Sequence, residues 1–252
     1  MSTSSIPAKD FGQVIGLALL RSGFLPPAAD EVRVVVFDSS HFAPFAAADG
    51  VLDDAEKHRA SRFRFAQDRS AYILSHSVWR IVLADCLGTQ PADVPLASAP
   101  SGQPQLPGTA LSTSLSHSGN WVAMAICAGA TVGVDIEQTP TRTRLSDMVD
   151  VICTPDESAK LKLLPAKARE NALLVLWTRK EALLKAFGLG LAVEPSTLSA
   201  ETGLFVTSSV ERAGLPRCRV HALELPAALV GALAAPENVS VKSVHWLNKN
   251  RA

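Results

Sequence analysis

Gly133-Val134-Asp135-Ile136-Glu137 is the stretch around which this chain is expected to fold, and its counterpart is Trp177-Thr178-Arg179-Lys180-Glu181-Ala182-Leu183-Leu184-Lys185. Side chains alternate in direction along a strand, so Asp135 and Glu137 share one face while Ile136 turns into the core. Residues four apart share one face of a helix, so Glu181 and Lys185 point into the same space. If strand and helix converge, three carboxylates and one ammonium surround one point. Such a group suits Mg²⁺, which takes a few protein oxygens together with water and phosphate.

Each stretch alone also has a simpler interpretation. An Asp-x-Glu run at the end of a strand is more often a solvated edge or turn, and Glu181 with Lys185 can be an ordinary surface ion pair. A third stretch just upstream, Leu115-Ser116-His117-Ser118-Gly119-Asn120-Trp121, favours a shared site. A single histidine is more often structural than catalytic, but the loop position of His117 beside small hydroxyls suits contact with phosphate.

The order and spacing of these motifs resemble the 4′-phosphopantetheinyl transferases, specifically the monomeric surfactin-synthetase type. The resemblance extends from about Val34 to the C-terminal strands and rests on Ser116-His117-Ser118, Gly133-Val134-Asp135-Ile136-Glu137, Trp177-x-x-Lys180-Glu181-Ala182-x-x-Lys185 and Gly188-x-Gly190-Leu191. It implies an enzyme that transfers the 4′-phosphopantetheine arm of coenzyme A to a serine of an apo carrier protein. The carrier would serve fatty acid, polyketide or nonribosomal peptide synthesis, and 3′,5′-ADP would leave.

The resemblance also implies a role for each site residue. Three carboxylates would carry Mg²⁺ at the seam between two halves of the chain: Asp135, Glu137 and Glu181. Ser116 and His117 would contact the pyrophosphate of coenzyme A, and Lys185 would stabilise or protonate the departing phosphate with help from His117. The base that takes the proton of the attacking serine is expected to be Glu181, with Glu137 as the second choice.

The densest basic segment of the chain contains Lys57, His58, Arg59, Arg62, Arg64, Arg69 and Arg80. A run of like charges is usually a solvated helix face. By the resemblance, Arg59, Arg62 and Arg69 are candidates for contact with the 3′-phosphate of coenzyme A, whereas Arg80 is expected to anchor the helix. Gln103 stands where the family commonly has a lysine that contacts the nucleotide, so a nearby arginine would have to substitute.

Two other functions are compatible with the same residues. One is a different Mg²⁺-dependent phosphoester or nucleotide hydrolase that uses the three carboxylates and needs no carrier. The other is a noncatalytic module that binds coenzyme A or a carrier protein. Loss of acidic ligands would mark such a module, and none is lost in this sequence.

Composition limits the class of protein. Of the 252 residues, 47% are apolar, which is enough to bury one large core or two small ones. Lys and Arg together number 24, as do Asp and Glu, so there is no overall electrostatic reason to expect nucleic acid or membrane binding. The four widely spaced cysteines indicate reduced thiols, and the apolar run from Val14 to Leu20 is too short to span a bilayer. We therefore expect a cytoplasmic protein, and the resemblance implies a monomer.

The hydrophobic pattern predicts an α+β protein. We expect a buried strand at Val32–Phe37, helix between Asp49 and about Leu87, and a helix at Asn171–Phe187 that Gly188 ends. Trp121–Ala128 and Thr131–Glu137 are expected to form an antiparallel hairpin that turns at Gly129. Thr154 and Glu157 are expected to cap a further helix.

A partial internal repeat indicates two similar halves. Ala228–Ala234 repeats the small, apolar character of the strand at Trp121–Cys127. We expect two α/β halves related by pseudo-twofold symmetry, each a helix packed on a small, mostly antiparallel sheet, with the active site at the seam. The half at residues 1–138 would hold the coenzyme A-binding segment, the Ser-His loop and the Asp-Ile-Glu strand. The half at residues 139–252 would hold the Trp-x-x-Lys-Glu-Ala helix and the last strands.

Overall fold

Most strands in the described part of the chain belong to two four-stranded sheets. The computed structural model describes residues 8–46, 49–141, 143–190, 193–201, 203–207 and 216–247. Sheet 1 contains β1 (Glu31–Asp38), β4 (Leu111–Ser118), β5 (Trp121–Ala128) and β10 (Ser240–Leu247), in the order β10-β1-β5-β4. Sheet 2 contains β6 (Gly133–Gln138), β7 (Phe205–Val206), β8 (Cys218–Ala222) and β9 (Leu229–Pro236), in the order β6-β9-β8-β7. A third sheet has two short strands, β2 (Ala97–Ser98) and β3 (Pro104–Gln105).

Helices precede and follow the central strands. The helices before β4 are α1 (Ala8–Arg21), α2 (Asp54–Ser61) and α3 (Ala66–Leu87), and those after β6 are α4 (Val149–Ile152), α5 (Pro155–Lys162) and α6 (Ala166–Phe187). Short 3₁₀ turns lie at Ser39–Phe45, Asp49–Val51, Pro91–Asp93, Leu145–Met148 and Pro195–Thr197. Gly88 and Gly188 end α3 and α6 with φ angles of 64° and 65°, a left-handed conformation that favours glycine because it has no Cβ.

The elements stack in the order helix, sheet, sheet, helix. Apolar side chains of α1 and α3, such as Val78, cover one face of sheet 1 and contact Met124. The opposite face packs on sheet 2 through small and β-branched side chains, including Val34, Ala125 and Val134. α6 covers the far face of sheet 2. The small residues between the sheets allow close approach, and this places β4 beside β6.

This architecture confirms the predicted α+β fold with two α/β halves. α3 belongs to the core on sheet 1 and α6 to the core on sheet 2, and the described pairs of sheet 2 are all antiparallel. Sheet 1 contains one parallel pair, β1 with β10. The predicted strand at Val32–Phe37 is present, and the predicted helix at Asn171–Phe187 is also present but begins at Ala166. The pseudo-twofold symmetry stays a prediction.

The predicted hairpin between Trp121–Ala128 and Thr131–Glu137 is wrong. β5 pairs with β1 and β4, whereas β6 pairs with β9 in the other sheet. The hairpin instead joins β4 to β5 through a turn at Gly119. Because β5 already has a strand on each edge, the short connection at residues 129–132 carries the chain from sheet 1 to sheet 2.

Hydrogen bonding crosses residue 138, where the sequence predicts the boundary between the halves. β6 lies before that boundary but is an edge strand of sheet 2. β10 lies after it but pairs with β1 in sheet 1. Each sheet therefore contains one strand from the other predicted half.

Several smaller expectations concern the cysteines and the membrane. Cys86, Cys127, Cys153 and Cys218 all lie in the described part of the chain and are free thiols, and burial raises the pKa of Cys86 and Cys218 to about 12. Within the described ranges, no helix combines the length and the apolar character that crossing a membrane requires. One predicted feature falls partly outside the described residues: Leu191 of the glycine motif.

Candidate active site

The backbones of α6 and β6 come into close contact at Gly133. A Cβ atom at Gly133 would lie 2.0 Å from the carbonyl oxygen of Ala182 and 2.5 Å from the nitrogen of Ala186, so glycine is required there. This approach places Lys185 over β6, where its Nζ donates to Asp135 Oδ1 at 2.8 Å and to the Val134 carbonyl at 3.1 Å. β6, which carries Asp135 and Glu137, and α6, which carries Glu181 and Lys185, therefore converge, as the sequence predicts.

Three carboxylates lie close enough to one another and to Lys185 for their charges to interact. Asp135 is buried, and Glu137 and Glu181 are partly buried. Burial raises the pKa of Glu137 and of Glu181, and the negative charge of Asp135 raises both further, although Lys185 opposes these shifts. One ammonium does not balance three carboxylates. The site therefore favours a further cation.

The donor atoms of this group fit Mg²⁺. Among the residues that the structure describes, the buried oxygens Asp135 Oδ2 and Glu181 Oε1 have no hydrogen-bond partner. A buried polar atom without a partner costs free energy, and a hard divalent cation can satisfy carboxylate oxygens of this kind. In the described ranges, however, no three acidic, histidine or cysteine side chains are already close enough to hold a metal ion together. Complete coordination by all three carboxylates would therefore require them to draw closer.

Two serines on β4 hold two of the carboxylates. The hydroxyl of Ser116 donates to Asp135 Oδ1 at 2.7 Å, and the hydroxyl of Ser118 donates to Glu137 Oε2 at 2.8 Å. The resemblance assigns Ser116 to the pyrophosphate of coenzyme A. In the structure Ser116 is buried, and its single hydroxyl proton is given to Asp135.

A cleft of about 540 Å³ opens beside the ion pair, a volume within the range of small-molecule sites. Arg59 and Tyr72 line one side, His117 comes from β4 of sheet 1, Lys185 comes from α6, and Gly188 caps that helix, so sheet 1 and the helix that covers sheet 2 both contribute to its walls. Loss of hydration lowers the pKa of His117, and the nearby charge of Lys185 lowers it further. His117 is therefore expected to be a neutral imidazole at pH 7.

An aromatic pair forms the wall of the cleft on α3. Tyr72 and His76 lie one helical turn apart, and their rings stack with centroids 4.0 Å apart. The guanidinium of Arg59 lies 5.6 Å from the centre of the Tyr72 ring. Burial raises the pKa of Tyr72 to about 12, and the charge of Glu56 also contributes, so the phenol keeps its proton.

Arg80 anchors α3 to the segment before it, as the sequence predicts. Its buried guanidinium pairs with Asp53 and, at 2.5 Å, with Glu56, and it donates to the Val94 carbonyl at 3.1 Å. Glu56 also contacts His76 at 2.8 Å. Both carboxylates on this wall are therefore paired with Arg80, whose single positive charge balances one of them.

Comparison with known proteins identifies the family. Residues 131–223 match the profile described as the 4′-phosphopantetheinyl transferase superfamily, and residues 39–129 match the one described as 4′-phosphopantetheinyl transferase, N-terminal. The chain is 32% identical over 204 residues to a phosphopantetheinyl transferase of Thraustochytrium sp., an alignment that covers 71% of this chain and 69% of that protein. This chain belongs to the 4′-phosphopantetheinyl transferase superfamily. It is a transferase enzyme.

Other members of the superfamily align over a shorter segment. The 4′-phosphopantetheinyl transferase HetI of Nostoc sp. is 30% identical over 145 residues, which are 56% of this chain and 61% of HetI. The 4′-phosphopantetheinyl transferase psf-1 of Bacillus pumilus is 30% identical over 145 residues, which are 56% of this chain and 60% of psf-1. The two family profiles meet between residues 129 and 131, at the connection that carries the chain from sheet 1 to sheet 2.

Lys180, the lysine of the superfamily motif, joins α6 to the segments that pack against it. Its fully buried Nζ donates to Glu157 Oε2 and to the Ile152 carbonyl, both at 2.5 Å, and to the Pro195 carbonyl at 3.0 Å. Burial alone would raise the pKa of Glu157, but hydrogen bonds from Lys180 and from backbone N–H groups hold that pKa below its usual value. The predicted capping box of Thr154 and Glu157 is confirmed. This network fixes the helix that presents Glu181 and Lys185.

The predicted phosphate-binding residues of this transferase occupy different environments. All three arginines are exposed; Arg59 lines the cleft, whereas Arg62 and Arg69 lie outside its described lining. Gln103, which stands where the family commonly has lysine, also lines the cleft and donates from Nε2 to the Lys185 carbonyl at 3.1 Å. Its side chain packs against Gly188, the last residue of the α6 cap.

Tyr72, His76 and the serines of β4 belong to the surroundings of the site, although the motifs did not indicate them as a set. Tyr72 and His76 are four residues apart on a helix, a spacing that places both on one face. Serine recurs at every second position of β4, from Ser112 to Ser118, which is the period of a strand. Both signals are visible in the sequence, although neither indicates which surface the residues face.

Proposed function

We propose that this transferase moves the 4′-phosphopantetheine arm of coenzyme A to a serine of an apo carrier protein, with Mg²⁺ as the metal and 3′,5′-ADP as the second product. The observation that carries the proposal is the convergence of four groups beside a cleft of about 540 Å³: Asp135, Glu137, Glu181 and Lys185. A cleft of this size can hold a phosphoester that carries a nucleotide, the carboxylate oxygens can bind a metal ion, and the ammonium can contact phosphate.

Charge along the cleft supports binding of coenzyme A. Arg59 offers a positive charge on the wall formed by α2 and α3, where the two nearby carboxylates are already paired with Arg80. Arg59 and Arg80 together carry two positive charges against these two carboxylates, so the four groups present no net negative charge to a 3′-phosphate. Lys185 and His117 lie on the side near the carboxylates and suit the pyrophosphate.

The chemistry requires positioning and charge balance more than covalent help from the protein. The hydroxyl oxygen of the carrier serine attacks the phosphorus that bears the pantetheine arm, and the bond from that phosphorus to the oxygen of 3′,5′-ADP breaks. Glu181 accepts the serine proton, a role that its raised pKa suits, and Glu137 is the second candidate. Lys185 donates to the departing phosphate and His117 assists. A divalent ion held by the three carboxylates would neutralise phosphate oxygens.

We further propose that the enzyme acts as a cytoplasmic monomer. The four cysteines are free thiols, which supports a reducing compartment. Both walls of the cleft come from one chain, which supports a site that needs no second copy.

The proposal is tested by incubating the protein with Mg²⁺, coenzyme A and a panel of apo carrier proteins, followed by intact mass spectrometry. We expect one carrier class to gain a single phosphopantetheine, and we expect chelation of the metal to prevent this. Phosphate release without a carrier would indicate a hydrolase instead. A thermal shift on addition of coenzyme A, with no carrier modified, would indicate a noncatalytic binding module.

A further inference from the structure

Four serines on β4 form a row that joins the two sheets. Ser112, Ser114, Ser116 and Ser118 occupy alternate positions and therefore share one face of the strand. Ser112 donates to the Ala130 carbonyl, at the start of the connection to β6. The other three receive backbone N–H groups of β6: Ser114 from Val134 at 3.1 Å, Ser116 from Ile136 at 3.3 Å and Ser118 from Gln138 at 3.0 Å. We call Ser114, Ser116 and Ser118 the serine ladder.

The serine ladder satisfies an edge of sheet 2. β6 is the edge strand of that sheet, and its partner β9 lies on one side only. N–H groups on the other edge need acceptors when they are buried. Serine hydroxyls provide them, and the small serine side chain lets β6 approach the face of β4.

Two steps of the ladder also hold a carboxylate. A hydroxyl has one proton, and accepting an N–H bond fixes the direction in which that proton can point. Ser116 gives its proton to Asp135 Oδ1 and Ser118 gives its proton to Glu137 Oε2. The bond to Oδ1 of Asp135 leaves Oδ2 as the buried oxygen without a partner in the described part of the chain. Each carboxylate is therefore oriented by a hydroxyl that the backbone of β6 has itself fixed.

The third step lacks a carboxylate and provides an internal comparison. Ser114 receives the N–H of Val134 in the same manner, but the preceding residue on β6 is Gly133, which has no side chain. Loss of the Ser114 hydroxyl removes one bond between the sheets and no bond to an acid. Loss of the Ser118 hydroxyl removes one bond of each kind.

We propose that Ser116 and Ser118 are positioning residues that orient the carboxylates of Asp135 and Glu137 for binding a divalent cation. The hydroxyls that join the two sheets would thus also orient the metal ligands. This inference rests on the proposed function, because it assumes that these carboxylates bind the metal. Ligand orientation by neighbouring hydrogen bonds changes metal affinity about 10- to 100-fold in other proteins. We expect an effect in this range.

The test uses Mn²⁺ as a paramagnetic probe and measures its dissociation constant by electron paramagnetic resonance on purified protein without substrates. We expect Ser118→Ala to weaken Mn²⁺ binding about tenfold or more. Ser118→Thr, which keeps the hydroxyl, should restore affinity. Ser114→Ala, which removes a bond between the sheets but none to an acid, should lower the thermal midpoint and leave Mn²⁺ affinity at the wild-type value. In the transfer assay, Ser118→Ala should raise the Mg²⁺ concentration for half-maximal rate more than it lowers the rate at saturating Mg²⁺.

The outcomes separate this inference from the proposed function. Wild-type affinity in a folded Ser118→Ala variant, or equal weakening in Ser114→Ala and Ser118→Ala, would overturn the positioning role alone. Failure of the wild-type protein to bind Mn²⁺ would overturn both the inference and the metal in the proposed function. If Ser118→Ala does not fold, Ser118→Cys keeps the volume with a weaker donor, and wild-type affinity in that variant would equally overturn the role.

Discussion

Gly133→Ala is the substitution for which the structure gives the clearest expected magnitude. The new Cβ would lie 2.0 Å from the Ala182 carbonyl oxygen, whereas ordinary van der Waals contact begins at 3.4 Å. The neighbouring atoms at 2.0 and 2.5 Å belong to the backbone of α6, so no side chain can rotate away. The helix must therefore retreat from β6 by about 1.4 Å.

The retreat should affect both stability and catalysis. Overpacking of this kind costs about 1–3 kcal/mol, which we expect to appear in the free energy of unfolding measured by denaturant titration. The bond from Lys185 to Asp135, 2.8 Å long, would stretch beyond hydrogen-bonding distance. A misplacement of about 1 Å at a reacting centre can lower the rate about 100-fold, so we expect a loss of that order in carrier modification.

A matched control separates this effect from the general effect of replacing glycine. A Cβ at Gly12, inside α1, would meet no described atom within 4 Å, and alanine there should stabilise the helix by up to about 1 kcal/mol without changing the rate. Assays of both variants well below their unfolding midpoints ensure that only folded protein is compared. If Gly133→Ala kept the wild-type rate and stability, close approach of α6 would not be what positions Lys185.

Three further predictions concern the cleft, the buried ion pair and the base. Arg59→Ala should raise the KM for coenzyme A about tenfold, whereas Arg69→Ala, at a likewise exposed arginine outside the described lining of the cleft, should change it less than twofold. Equal effects in steady-state kinetics would contradict the role of the cleft wall. Glu157→Gln should cost about 3–5 kcal/mol at neutral pH by leaving Lys180 unpaired in the core. Folding lowers the pKa of Glu157, so its carboxylate contributes to the free energy of unfolding above the unfolded pKa, and this contribution is lost as pH falls through the folded pKa. The difference in unfolding free energy between wild type and Glu157→Gln should therefore shrink below about pH 4. A difference that stays constant with pH would refute this assignment. Glu181→Gln should lower transfer about 10²–10⁴-fold without lowering the thermal midpoint, since the raised pKa of Glu181 means that its charged form is disfavoured in the fold; near-wild-type transfer would exclude Glu181 as base.

Local patterns predicted the individual elements well. The valine-rich run before Phe37 has the character of a strand buried on both faces, and it lies inside sheet 1. The regular spacing of apolar residues before Gly188 marked α6, and a glycine able to adopt positive φ marked its end. Both features are determined by residues that are close in the sequence, so the sequence is sufficient to predict them.

The pairing of β6 was not accessible in the same way. The four-residue connection after Ala128 is short enough for β6 to pair with β5 in sheet 1, but it equally allows β6 to enter another sheet. The strand that pairs with β6 is β9, which lies far along the chain. The convergence of Lys185 and Asp135 was predictable because the motif spacing resembles a known family. The role of the Ser118 hydroxyl was not, because alternation shows that serines share a face but not what that face meets.

The parallel pairing of β10 with β1 has a consequence for synthesis on the ribosome. β1 is made before β10, the strand at residues 240–247 that covers one of its edges, so a nascent chain carries an open edge rich in valine until β10 has been made. An open edge of this kind can pair with another unfinished chain, and aggregation during rapid expression should originate there. Slower translation or lower temperature should raise the yield by giving each chain time to complete its own sheet.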